Sequence, residues 1–266
     1  MRKIVLLFVA FAMALAAHAD NKIDRTAVVT RHNPHITSID SLASLTVGNG
    51  GFAFTVDATG LQTFPEKYSN GVPLGTMSDW GWHSFPNDKG YKIEEALVNH
   101  DFHRGHDEYY AAQFRTPGRQ QDASNYFRQN PHRIHLGNIG LNLADPNLVS
   151  NIDETLDLWT GKVESRFKYG EQKYHVKTVC DPDKDVVASH IESDGTIEVV
   201  LRFPYPTGKH SDDACDWNQD SRHTTTLEKD GSHAVIKRKL DNCTYYINVE
   251  FSEGARISKI GAHTIM

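Results

Sequence analysis

The sequence predicts an all-β protein, one large antiparallel β-sandwich with long loops and at most a few short helices. Three observations lead there. From Ile152 onward apolar residues recur at every second position, the period of a half-buried strand. The alternating runs are separated by steps such as Gly170-Glu171, Asp230-Gly231 and Asp241-Asn242, which accept the positive φ angles of tight hairpins. Helical periodicity is sparse. The 266 residues are 39% apolar and 23% charged, which suits a large core and excludes a disordered or collagen-like chain.

Taken in order, the chain opens with Arg2 and Lys3 ahead of an apolar run from Ile4 to Ala17, closed by Ala17-His18-Ala19. This pattern predicts a signal peptide over residues 1–19, since the run falls short of the roughly 20 residues that cross a bilayer. A lipid anchor would need a Cys just after the cut, and the first one is Cys180. The expectation is a secreted or periplasmic protein, free of the membrane after cleavage, with one sandwich domain over residues 20–266.

In the N-terminal half, strands are predicted at Ser44 to Val47, Phe52 to Val56 and Arg133 to Leu143, separated by loops rich in Gly, Pro, Trp and His. Asp122 is placed to cap a short helix from Ala123 to Gln129, ended by Asn130-Pro131. The C-terminal half reads as a meander. Its strands are Thr155 to Trp159, Lys162 to Tyr169, Gln172 to Cys180, Val186 to Glu192, Thr196 to Phe203, Thr224 to Lys229, His233 to Leu240, Cys243 to Phe251 and Ala255 to Ile260. Val163, Phe167 and Tyr169 share an inward face, as do Tyr174, Val176 and Cys180, and Ile197, Val199, Leu201 and Phe203.

Removing the leader leaves 26 basic against 34 acidic residues, a net charge of about −8. That argues against nucleic acid, whose binding relies on Lys and Arg neutralising phosphates, and suits a neutral partner such as a sugar. Cys180, Cys215 and Cys243 allow at most one internal disulfide and are read as buried thiols.

The loop from Thr63 to Tyr91 holds Phe64, Tyr68, Trp80, Trp82, His83 and Phe85 among Gly and Pro residues instead of in a periodic run. Aromatic rings match the C–H faces of sugars, and neighbouring polar groups hydrogen-bond hydroxyls. Pinning the loop onto the sandwich is the competing role for these rings. His100, His103 and His106 invite a metal, but Gly105 interrupts a helix and the three-residue interval is not that of a zinc helix. Arg133 or His132 can bind a sugar or pair with a local acid. The loop Ser211-Asp212-Asp213-Ala214-Cys215-Asp216 lacks the ligand spacing of a calcium loop. No nucleophile elbow, phosphate loop or paired-Cys motif is present, and neither a cofactor nor a metal is called for.

Asp40-Ser41-Leu42-Ala43-Ser44-Leu45-Thr46-Val47-Gly48-Asn49-Gly50-Gly51-Phe52-Ala53-Phe54 resembles the strand pair around Gly-Asn-Gly that opens the N-terminal domain of family 65 glycoside hydrolases. Glu154-Thr155-Leu156-Asp157-Leu158-Trp159-Thr160-Gly161 looks like the Gln-x-Leu-Asp-Leu-x-x-Gly segment of the same domain. The loop from Leu74 to Pro86 and the run from Asn130 to Gly137 resemble secreted members of the six-hairpin glycosidase superfamily. The resemblance implies a galactose-mutarotase-like β-supersandwich that precedes an (α/α)6 barrel carrying the catalytic carboxylates. No residue here inherits a catalytic role, so hydrolysis by this chain alone is doubtful, and the chain looks truncated or split from its barrel. The expected function is a carbohydrate-binding, substrate-shaping domain whose Asp79, Trp80, Trp82 and His83 face the sugar. Its partners would be carbohydrate and a barrel in cis or in trans. The alternatives are a free-standing secreted glycan-binding protein and a structural domain that only supports a barrel.

Overall fold

The computed structural model describes residues 23–266 apart from 102, 104, 106, 112 and 210–212, and no side chain at 100, 101 or 107. The signal peptide assigned to residues 1–19 lies outside the described residues, as do much of the His100 to His106 run and the first part of the Ser211 to Asp216 loop.

The first helix, α1 (Arg25–Thr30), starts where the Asp24 carboxylate accepts the Ala27 amide at 3.0 Å, a side-chain N-cap. After β1 (His35–Ile36), β2 (Leu45–Gly48) and β3 (Phe52–Val56) form a hairpin. Asn49 closes its turn, its Oδ1 accepting the amides of Gly51 at 3.0 Å and Phe52 at 2.8 Å, with Gly50 at φ +97°. The one-turn helix α2 (Pro65–Tyr68) leads to β4 (Thr76–Ser78), which joins β3, and to β5 (Trp82–His83). A hairpin of β6 (Leu97–Asp101) and β7 (Asp107–Ala111) precedes α3 (Arg119–Gln129), β8 (His132–Arg133) and β9 (Asn138–Leu141).

The meander follows as β10 (Val149–Asp157), β11 (Lys162–Tyr169), β12 (Gln172–Cys180) and β13 (Val187–Ser193), with β1 on its outer edge. Next come β14 (Val199–Arg202), β15 (Tyr205–Pro206) and β16 (Cys215–Asp216). A three-stranded sheet of β17 (His223–Asp230), β18 (His233–Leu240) and β19 (Cys243–Glu250) leads to β20 (Thr264–Ile265). Among the described residues all pairings are antiparallel. Among the described residues no helix is long and apolar enough to cross a membrane.

The all-β fold follows from which faces are apolar. Val163 and Phe167 on β11 and Tyr174 and Val176 on β12 are buried against Leu45, Val47, Phe52, Phe54 and Val56 of the first hairpin. Phe167 and Tyr174 stack with ring centroids 5.0 Å apart. Leu201, Phe203, Ala234, Ile236, Ile257 and Ile265 form a second core under β17–β19. The third, of Ile134, Leu136, Tyr205, Leu240 and Tyr245, supports the loop that carries Trp80 and Trp82.

Several expected boundaries move. The Thr196 to Phe203 run pairs only from Val199 to Arg202, with Ile197 exposed. Ala255 to Ile260 is no strand, because it makes a single bridge, Lys259 to Ile265. Arg133 to Leu143 splits into β8 and β9 at Gly137, which sits at φ +135° with the Phe203 ring 2.6 Å from where a Cβ would be. The helix starts one turn early, at Arg119 behind Gly118, so Asp122 lies in its first turn instead of capping it. Cys180 and Cys243 are half-buried thiols outside any disulfide, Cys215 is half-buried too, and burial pushes the thiols of Cys180 and Cys243 up from their ordinary pKa.

Candidate functional site

Trp80 and Trp82 leave the end of β4 through a tight turn in which Gly81 N donates to Ser78 O at 3.0 Å and Trp82 N to Trp80 O at 2.9 Å. Apolar burial does not dictate their positions, since Trp80 keeps 51% and Trp82 46% of its surface exposed. Polar contacts hold them instead. The Trp80 indole N–H donates to Asp185 Oδ2 at 2.8 Å, and the Ser78 hydroxyl donates to the same oxygen. Arg133 Nη1 donates to the carbonyls of Ser78 at 2.8 Å and Asp79 at 2.6 Å, while its guanidinium lies 4.2 Å from the centre of the Trp82 ring. Asp79 itself is exposed, 3.5 Å from Arg133 Nη2. The loop thus arrives as a fixed platform of two indoles beside two carboxylates and a cation, groups that stack on and hydrogen-bond a polyhydroxylated ring.

His83 is placed differently from its three neighbours. It is 3% exposed, so it does not reach solvent with Asp79, Trp80 and Trp82. Its Nδ1 meets His132 Nε2 at 3.0 Å, and its Nε2 meets Asp241 Oδ2 at 3.0 Å. His132 Nδ1 lies 2.7 Å from the Gln129 carbonyl and must donate there, so His132 Nε2 accepts from His83 Nδ1–H. Opposite Asp241 a neutral His83 would then present a bare nitrogen. Two neutral rings therefore leave this row of three contacts one proton short, and Asp241 Oδ2 also accepts the Tyr205 hydroxyl. Burial, and then the neighbouring His132, push the His83 pKa down, opposed by Asp241. Burial and Asp241 raise that of Tyr205.

Beside this relay lies a depression of about 400 Å³, walled by Trp82, Phe85, Tyr126 and Pro131 with Asn87 and Asn242 at its edge. The sequence reading singled out the two indoles but could not find Asp185, Asp241 or Tyr205. Each sits over a hundred positions from the loop and carries no local motif.

A second polar cluster surrounds Arg238, fully buried on β18. Its Nη2 donates to His223 Nδ1 at 2.6 Å, its Nη1 approaches His263 Nδ1 at 3.2 Å, and the two imidazoles stack 3.6 Å apart. Asp220, His223 and His263 present ligand atoms within 4.8 Å of one another. They do not fit a metal, because the guanidinium occupies Nδ1 of both rings and His263 Nε2 lies 3.0 Å from the Asp220 carbonyl. Burial, Arg238 and His263 hold the His223 pKa at about 3, so the ring stays neutral. The His103 backbone stands at φ +55°, while His106 and the His100 side chain lie outside the described residues.

Among curated proteins no sequence matches this chain. The family profile of the glycosyl hydrolase family 65 N-terminal domain matches residues 92–257. That span includes Arg133, Asp185, Tyr205 and Asp241, the groups that anchor the loop, and leaves out residues 79–83. An all-β sandwich whose matched span covers more than half of its length supports one assignment: the chain belongs to the glycosyl hydrolase family 65 N-terminal domain family.

Proposed function

We propose that this chain is the carbohydrate-binding, substrate-shaping, non-catalytic sandwich domain of an exported glycoside hydrolase, acting with an (α/α)6 barrel in cis or in trans. The observation that carries the reading is the pair of half-exposed indoles, Trp80 and Trp82, fixed by Asp185 and Arg133. Such a platform gains stacking energy on a sugar while losing little conformational entropy. Asp79, exposed beside it, accepts sugar hydroxyls, and His83 acts from beneath by holding the loop.

Catalysis is not assigned to this chain. Among the described residues the two carboxyl groups with raised pKa are Asp57 and Glu154, and both lie in the sandwich interior where no glycosidic bond reaches them. The second reading is a free-standing glycan-binding protein, for which the depression beside Trp82 offers a concave site.

Calorimetric titration with a panel of oligosaccharides tests the platform. Trp80→Ala and Trp82→Ala should each weaken binding by about fivefold, the equivalent of about 1 kcal/mol, with unchanged circular dichroism. In an assembly with a barrel the same variants should raise KM. Unchanged affinity and KM in the double variant would remove the loop from the site.

A further inference from the structure

A different part of the molecule holds a buried side chain that nothing in the fold accounts for. Asn138 opens β9 and is 1% exposed. Its backbone pairs with Arg202 of β14, yet neither Nδ2 nor Oδ1 of its side chain has a hydrogen-bond partner. A buried amide left in that state costs as much as a lost hydrogen bond, and a Leu of the same branched shape would avoid the cost. Asn138 also lines a cavity of about 230 Å³, together with Leu74, Pro73, Glu66, Asp213 and Trp217. Arg202, paired to Glu66 at 2.9 Å, stands 5.4 Å from the Trp217 ring centre and braces it.

We propose that this cavity is a second carbohydrate site, sized for one neutral monosaccharide ring and distinct from the Trp80–Trp82 platform, with which it shares no residue. A planar amide offers a donor and an acceptor side by side, the complement of two adjacent sugar hydroxyls, each of which both donates and accepts. The Trp217 indole and the Pro73 and Leu74 side chains give the apolar wall that a pyranose C–H face needs. Glu66 and Asp213 accept further hydroxyls and repel anions, which sets the class as neutral sugars and not uronates or phosphates. The inference does not depend on the function proposed above, because the amide and the cavity would serve a free-standing protein equally.

The full chain is titrated by calorimetry with D-glucose, D-galactose, D-mannose and N-acetyl-D-glucosamine. At least one should bind with millimolar affinity. Asn138→Leu should weaken that binding about tenfold or more, with a Tm equal to or above that of the parent chain, while the Trp80→Ala/Trp82→Ala double variant keeps it. In the unaltered chain the side-chain amide resonance of Asn138 should shift as the sugar is added, a readout that stands even if the variant misfolds. Absence of saturable binding by all four sugars, full binding by Asn138→Leu, or an unmoved Asn138 resonance at saturation would each overturn the site. Loss in the double variant with retention in Asn138→Leu would overturn it too and credit the platform alone.

Discussion

Glu154 on β10 is wholly buried, with Asp57 and the Gly60 amide nearby. Neither of its carboxylate oxygens has a hydrogen-bond partner, and the nearby Gly60 amide only partly eases its charge. Burial, and then Asp57, raise its pKa from 4.5 to about 9. Asp57, also buried, is raised by burial from 3.8 to about 6 although it accepts from Thr59 and Phe64. Each group binds its proton more tightly in the folded chain, so its contribution is complete below the unfolded pKa and is lost as pH rises through the folded one. Stability should fall most steeply between pH 4.5 and 6, where both groups titrate differently in the two states. It should keep falling, more gently, towards pH 9 on Glu154 alone. Glu154→Gln, the residue found at that place in the family motif, should remove the upper part of this slope. Thermal unfolding of both proteins from pH 5 to pH 9 checks it, and parallel curves would refute it. Alternation predicted a strand only from Thr155 onward, one residue past Glu154, and the burial of Glu154 was not legible, because Asp57 and Gly60 are nearly a hundred residues away.

At the scale of elements, legibility depended on length and regularity. Lys162 to Tyr169, Gln172 to Cys180 and His233 to Leu240 form strands with the predicted bounds, since each alternates cleanly between two turn-forming steps. Two-residue strands such as β5 and β8 are too short to show a period; their partners on the other strand define them. β9 is the instructive case. One edge pairs with β14, and the other takes up the segment after β3, where Gln62 N donates to Ile139 O at 2.8 Å and Leu141 N donates to Thr63 Oγ1 at 3.2 Å. That approach is possible because residue 140 is glycine: a Cβ there would stand 2.5 Å from the Gln62 carbonyl oxygen. Gly140→Ala should cost about 1–3 kcal/mol and lower Tm by several degrees, as differential scanning calorimetry would show. An unchanged Tm would mean that this edge is not tightly held.

For the whole molecule, sequence and structure part company at the site. The fold class was legible because it sums many local signals over β10 to β13 and β17 to β19. The platform was half legible: Trp80 and Trp82 stood out as aromatics outside any period, but what fixes them comes from distant strands. Arg133 lies on β8, Tyr245 on β19 and Asp185 in the connection after β12. The same connection is held at its other end by Asn49, whose Nδ2 donates to the carbonyls of Asp181 at 3.2 Å and Lys184 at 3.0 Å. One short turn therefore links the first hairpin, the five-stranded sheet and the aromatic loop. Solvent should register this as a difference in labile protons. The Trp80 indole proton, held by Asp185, should exchange with deuterium markedly more slowly than that of the equally exposed Trp82. Asp185→Ala, which removes the acceptor, should erase most of the difference.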